Sequence, residues 1–124
     1  SALMAYLEKE PGYEKIEHAL TLAAQQSRTL LMNIVNWGEV YYILARNHGF
    51  EKAQEIIRNV ETFPIEFISP DKELTRQAVY FKAIKKLPYA DSHAAALAKI
   101  RKAELLTSDK DFKLVEADIK ILWI

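Results

Sequence analysis

Apolar positions recur along this chain with two different periods, and the alternation between them outlines a fold. At helical spacing fall Leu3, Met4 and Leu7, then Ile16, Ala19, Leu20 and Ala23, then Ala53, Ile56, Ile57 and Val60. Residues three and four apart share one helix face, so these sets predict amphipathic helices over 1–8, 13–26 and 50–62. Pro11-Gly12 separates the first from the second. Two short, strongly apolar runs, TLLMNIV over 29–35 and FPIEFI over 63–68, interrupt the helical pattern. Such runs suit strands of a parallel sheet, which are covered on both faces.

The remaining elements follow from caps and breakers. Asn33 or Asn36 caps a helix running to about residue 47, which His48-Gly49 ends. Ser69-Pro70-Asp71 opens a helix through 85, with Pro70 near its first turn. Leu87-Pro88-Tyr89 reads as a loop, and Asp91 starts an alanine-dense helix over 92–102. A strand over 105–107, a short helix over 109–115 and a strand over 119–123 close the chain. Helices alternating with short apolar strands predict an α/β class: a three-layer α/β/α sandwich around a central, mostly parallel sheet, in one domain over 1–124. Doubly wound sheets are usually built around a strand near the N-terminus, whereas this chain opens on a helix. The expectation is therefore a first strand upstream of Ser1, since a sheet without its central strand leaves two neighbours unpaired.

Composition narrows the chemistry. Half of the 124 residues are apolar, which fits one well-buried core and argues against disorder. There is no cysteine, so disulfides, zinc–thiolate sites and thiol nucleophiles are excluded. Seventeen basic and seventeen acidic residues give zero formal charge, which argues against broad electrostatic capture of nucleic acid. Two local basic clusters, Lys82/Lys85/Lys86 and Lys99/Arg101/Lys102, read as solvated helix surface. No apolar run approaches the roughly 20 residues of a membrane span, so the expected setting is cytoplasmic, away from membranes.

Three acids stand where a parallel α/β fold would converge them. Glu39 lies on a stripe with Val35, Ile43 and Arg46, where burial would be costly unless something satisfies the carboxylate. Its plain explanation is a capping box with Asn36. Asp91 precedes Ala94, Ala95, Ala96 and Ala98, small residues that let a helix approach the sheet closely; its plain explanation is an N-cap. Asp109 follows a strand at its carboxyl end, where open α/β sheets place their ligand crevices. It too is explicable as a cap. Asp111, two residues on, is either a further ligand or solvent-facing, and Thr107 and Ser108 are placed to fix the carboxylates by hydrogen bonds. His93 has no histidine partner at ligand spacing and reads as structural or exposed. Gathered carboxylates without cysteine suit a hard divalent cation, Mg²⁺ or Mn²⁺.

The order of these pieces resembles the PIN-domain family, and within it the toxin ribonucleases of toxin–antitoxin pairs (VapC-like). The likeness runs along essentially the whole chain. It rests on Ser1-Ala2-Leu3 before an apolar helix, Asn36-x-x-Glu39-Val40, Tyr89-Ala90-Asp91-Ser92 with its alanines, Leu106-Thr107-Ser108-Asp109-Lys110-Asp111-Phe112, and the closing Ile119-Lys120-Ile121. The resemblance implies that Glu39, Asp91 and Asp109 are catalytic metal-site acids, with Asp111 a further metal ligand and Ser1 and Thr107 supporting. The family's first aspartate would precede Ser1. It further implies a Mg²⁺- or Mn²⁺-dependent endoribonuclease leaving 5′-phosphate and 3′-hydroxyl ends, a cognate antitoxin partner and a homodimer. Arg46 and Lys110 are candidate contacts for the RNA substrate. The alternative is a PIN fold without catalysis, acting as a protein- or RNA-binding module. An unrelated phosphotransfer protein would need a phosphoacceptor aspartate paired with a strand-end lysine, and no convincing pair is present.

Overall fold

The structure is a computed structural model describing residues 1–124, with helices α1 (Ala2–Leu7), α2 (Tyr13–Gln25), α3 (Ile34–His48), α4 (Phe50–Val60), α5 (Lys72–Ala83) and α6 (Tyr89–Arg101). Four short strands alternate with them: β1 (Leu30–Asn33), β2 (Ile65–Ile68), β3 (Leu105–Thr107) and β4 (Ile121–Trp123). A 3-10 helix, Lys110–Val115, lies between the last two. Every strand pairing is parallel, β1 with β2 and β3 with β4. The pairs form two separate halves, and α6 packs on both β1 and β3.

The strands place their side chains by simple alternation. Met32, Ile65 and Phe67 face a core containing Leu3, Met4, Val40, Leu44, Ala53, Ile57 and Val60, supplied by α1, α3 and α4. Leu31 and Ile68 point the other way, onto a core built from α5, α6 and the 3-10 helix. Leu105, Ile121 and Trp123 pack on that second core as well, so both half-sheets share one helix layer. The three-layer α/β/α arrangement is thus the observed one.

Several boundaries differ from the sequence reading. The apolar run at 29–35 does not stay extended: Asn33 ends β1 and caps α3, its Oδ1 accepting from the Val35 amide at 2.9 Å. Ile34 and Val35 are helical, because an apolar side chain is equally at home on a buried strand or a helix face. Helix α6 begins at Tyr89, with Pro88 as its cap. Proline's fixed φ suits a helix entry, so the loop read over Leu87-Pro88-Tyr89 holds for its first two residues and ends at Pro88. Asp71 caps α5, accepting from the Leu74 amide at 2.8 Å, and the helix ends at Ala83 rather than at 85.

One turn has a strict requirement. Gly12 has φ +94°, and a Cβ there would lie 2.8 Å from the Ile124 carbonyl carbon. Glycine alone accepts both the left-handed backbone and that approach. Nearby, Lys15 Nζ donates to the Trp123 carbonyl at 3.0 Å, tying the start of α2 to the end of β4.

Candidate metal centre

Helix α6 is the element that positions the candidate chemistry. Its Ser92, His93, Ala95, Ala96, Leu97 and Ala98 are all buried, which only a helix rich in small residues achieves while lying close to a sheet. Its first turn is held from α3 by two side-chain amides. Asn36 Nδ2 donates to the Ala90 carbonyl at 2.8 Å. Asn33 Nδ2 donates to the His93 carbonyl at 3.4 Å. Both span more than fifty residues of sequence, and they clamp the turn that carries Asp91.

Asp91 is half-buried in that turn; it is not the cap, so its carboxylate is not committed to helix amides. Opposite it lies the loop after β3. Buried Thr107 accepts from the Asp109 amide through Oγ1 at 3.0 Å, and Asp109 Oδ1 accepts from the Asp111 amide at 2.9 Å. Asp109 therefore does cap the 3-10 helix, and the cap holds Asp109 and Asp111 in fixed relation. The result is a carboxylate trio: oxygens of Asp91, Asp109 and Asp111 all lie within 4.8 Å of one another.

The electrostatics are those of crowded like charges. The Asp91 carboxyl is pushed from 3.8 up to about 6, first by its burial, then by Asp109, Glu39 and Asp111. Oxygen-only donors, gathered and mutually repelling, are the donor set that hard divalent cations prefer.

Glu39, Ser1, Lys110 and Arg46 are not members of this trio. Glu39 is exposed and stands outside it, although its charge still acts on Asp91. The capping-box explanation of Glu39 does not hold: the α3 cap is Asn33, and the Asn36 side chain is occupied with α6. Nor is Glu39 buried as its stripe suggested, since that face of α3 opens to solvent at Gly38 and Glu39. Ser1 caps α1, its Oγ accepting from the Met4 amide at 3.2 Å. Lys110 is exposed beside Asp109 and free of any ion pair. Arg46 bonds Asn47 and lies over the Tyr42 ring at 5.7 Å, an arrangement on the solvent face of α3.

His93 is buried, edge-on to Tyr89 with ring centroids 4.7 Å apart, and neither ring nitrogen has a partner. Burial lowers its pKa below the usual histidine value. The aromatic residues of α3 divide. Trp37 and Tyr41 pack edge-to-face at 5.6 Å within the core layer, while Tyr42 is 62 % exposed.

The residues that sequence reasoning missed are Asn33 and Asn36 in their clamping role. One asparagine suffices to cap α3, and the second was the available signal.

The sequence matches the profile of the PIN domain over residues 1–118. The chain belongs to the PIN-domain family. Solved structures agree on the fold. A VapBC2 complex from Rickettsia felis, bound to a DNA fragment from its promoter, contains a chain 16 % identical to this one, with a TM-score of 0.75 over 98 % of this chain and 92 % of that one. A DNA-bound VapBC from Salmonella typhimurium aligns at 14 % identity and a TM-score of 0.73, covering 98 % and 90 %. Among curated proteins no relative matches. No helix of this PIN domain is long and apolar enough to cross a membrane.

Proposed function

We propose that this PIN-domain protein is a Mg²⁺- or Mn²⁺-dependent endoribonuclease, the toxin of a toxin–antitoxin pair. The observation that carries the reading is the meeting of Asp91, Asp109 and Asp111 within 4.8 Å, with the Asp91 carboxyl raised to about 6. Family membership and the fold shared with chains of VapBC complexes support it.

The trio would hold the cation, and Glu39 bears on the same site through its charge. A bound divalent cation would supply an activated water and charge stabilisation for phosphodiester hydrolysis. The chain's own residues do the positioning. Thr107 fixes the Asp109 loop, Asp109 orients Asp111, and Asn33 and Asn36 hold the turn bearing Asp91. Lys110 is the nearest exposed cation in sequence to the acids and suits a phosphate contact; Arg46, engaged with Tyr42, suits a more remote one.

Asp91→Asn is expected to lower Mn²⁺-dependent cleavage of structured RNA more than about 100-fold, beyond what loss of a supporting residue costs. Its circular dichroism should be unchanged. Equal cleavage by the variant would refute the assignment. The reading extends to a cytoplasmic setting, a homodimer and a small antitoxin partner. Sedimentation at micromolar concentration showing only a 14.3 kDa species would remove the dimer. The second reading, a binding module without catalysis, draws on Glu39 lying outside the trio. It predicts antitoxin or RNA binding with no metal-dependent cleavage.

A further inference from the structure

The acid trio repels phosphate, so a polyanionic substrate must be held from elsewhere, and the structure offers one surface of opposite sign. Residues 72–102, which span α5 and α6, contain eight lysines and arginines against two acids, Glu73 and Asp91. The whole chain is neutral, so this hairpin concentrates charge that the rest of the molecule balances. Only Lys85 is neutralised, by Asp118 at 3.5 Å.

Helix α4 shows what an ordinary charged face looks like in this protein. There Glu51, Lys52, Glu55 and Arg58 alternate in sign, and Lys52 pairs with Glu55 at 3.3 Å. Along α5, Lys72, Arg76 and Lys82, with Lys86 just beyond the helix, are all exposed and form no ion pair. Within α5, at about 100° per residue, Lys72, Arg76 and Lys82 fall within an arc of about 120°, with the acids Asp71 and Glu73 flanking Lys72 at its start. Lys72 and Arg76 are spaced one helical turn apart, about 6 Å along the axis, and Lys86, left-handed at φ +66° past the helix end, donates from Nζ to the Ala83 carbonyl at 2.8 Å. Tyr80, 45 % exposed, borders the row beside Arg76 in a shallow depression also lined by Glu73, Gln77 and Ile100. The row ends toward the site: Lys86 precedes Asp91 by five residues, which bounds their Cα separation at about 18 Å.

We propose that the solvent face of the α5–α6 hairpin is the surface on which the RNA backbone docks as it enters the carboxylate site. The inference rests on the nuclease reading above. A one-signed row of cations suits the regularly charged phosphate backbone, and an exposed aromatic beside it suits base stacking. An acidic protein segment is the competing occupant.

The test measures binding of labelled oligouridylate by fluorescence anisotropy across a salt series in magnesium buffer. Asp91→Asn protein is compared with the same protein carrying Arg76→Gln, Lys82→Gln and Lys86→Gln. The triple change is expected to weaken binding about tenfold or more at low salt. The slope of log Kd against log salt should fall by about 2, because each single-strand phosphate contact contributes about 0.7. The thermal midpoint should not move. No binding by the parent, an unchanged Kd and slope, or preference for polyglutamate over the RNA would overturn the proposal. If the triple change leaves binding intact while the unmodified chain still cleaves RNA with Mn²⁺, only the docking surface is wrong. If binding behaves as expected but that chain does not cleave, only the nuclease reading is wrong.

Discussion

The two helix layers that cover the sheet are built from different materials. The α3–α4 layer is bulky: Leu44, Val40, Ile57, Trp37 and Tyr41 fill its core, and Phe63 and Phe67 join from the β2 side. The layer containing α6 is thin where it meets the strands, with Ala95 and Ala96 wholly buried and Ala98 nearly so. The first layer is a filler whose shape can relax. The second sets a distance, because small side chains let the backbone that carries Asp91 approach the strand ends that carry Asp109. Bulk stabilises this fold, whereas smallness positions its candidate chemistry.

That contrast is open to a direct test. Leu44→Ala should cost about 2–5 kcal/mol in stability, the usual range for a cavity in a packed core. Cleavage per folded molecule should stay near normal. Ala95→Leu should cost less, about 1–3 kcal/mol from overpacking, yet depress cleavage because α6 is pushed off the sheet. Chemical denaturation read beside activity separates the two. Equal activity losses at equal folded fraction would erase the distinction between the layers.

A smaller effect is expected at the joint between them. Asn36→Ala removes the amide that holds the Ala90 carbonyl. Loss of one such bond is worth about 1 kcal/mol. Cleavage should fall roughly tenfold with a modest drop in stability, comparable to the loss of a group that orients a ligand. Asn36→Asp, which cannot donate, should behave like the alanine variant; recovery with aspartate would remove the clamp.

A further effect is on the pH dependence of stability. Asp91 binds its proton more tightly folded, near 6, than unfolded, near 3.8. The folded state is therefore favoured at low pH, and this advantage is lost as pH rises from about 4 through 6. His93 acts in the opposite sense: burial lowers its pKa, so its contribution is lost as pH falls below 6.5. In chelator, Asp91→Asn should abolish the first trend and keep the second, as thermal midpoints across pH would record. An unchanged profile in the variant would show that Asp91 is not the strained group.

Much of this was readable from residues alone. The helical spacing of Ile16, Leu20 and Ala23, and of Ala53, Ile57 and Val60, reported buried faces correctly. Asp91 and Asp109 stood out because each follows or opens an element at the strand ends. Other features were not local. Ile34 and Val35 look the same to a strand and a helix, and only the Asn33 cap decides between them. The roles of Asn33 and Asn36 toward α6 depend on contacts across 60 and 54 residues. The exposure of Glu39 was hidden for a related reason: its stripe looked partly apolar, but the neighbouring elements leave that side of α3 open.

In the function proposed above, Asp91, Asp109 and Asp111 together bind the cation. Anomalous diffraction from a crystal soaked in manganese tests it most directly. A peak bound by carboxylate oxygens of all three residues is expected. A peak held by other residues, or none at the trio while manganese binds elsewhere on the protein, would contradict it.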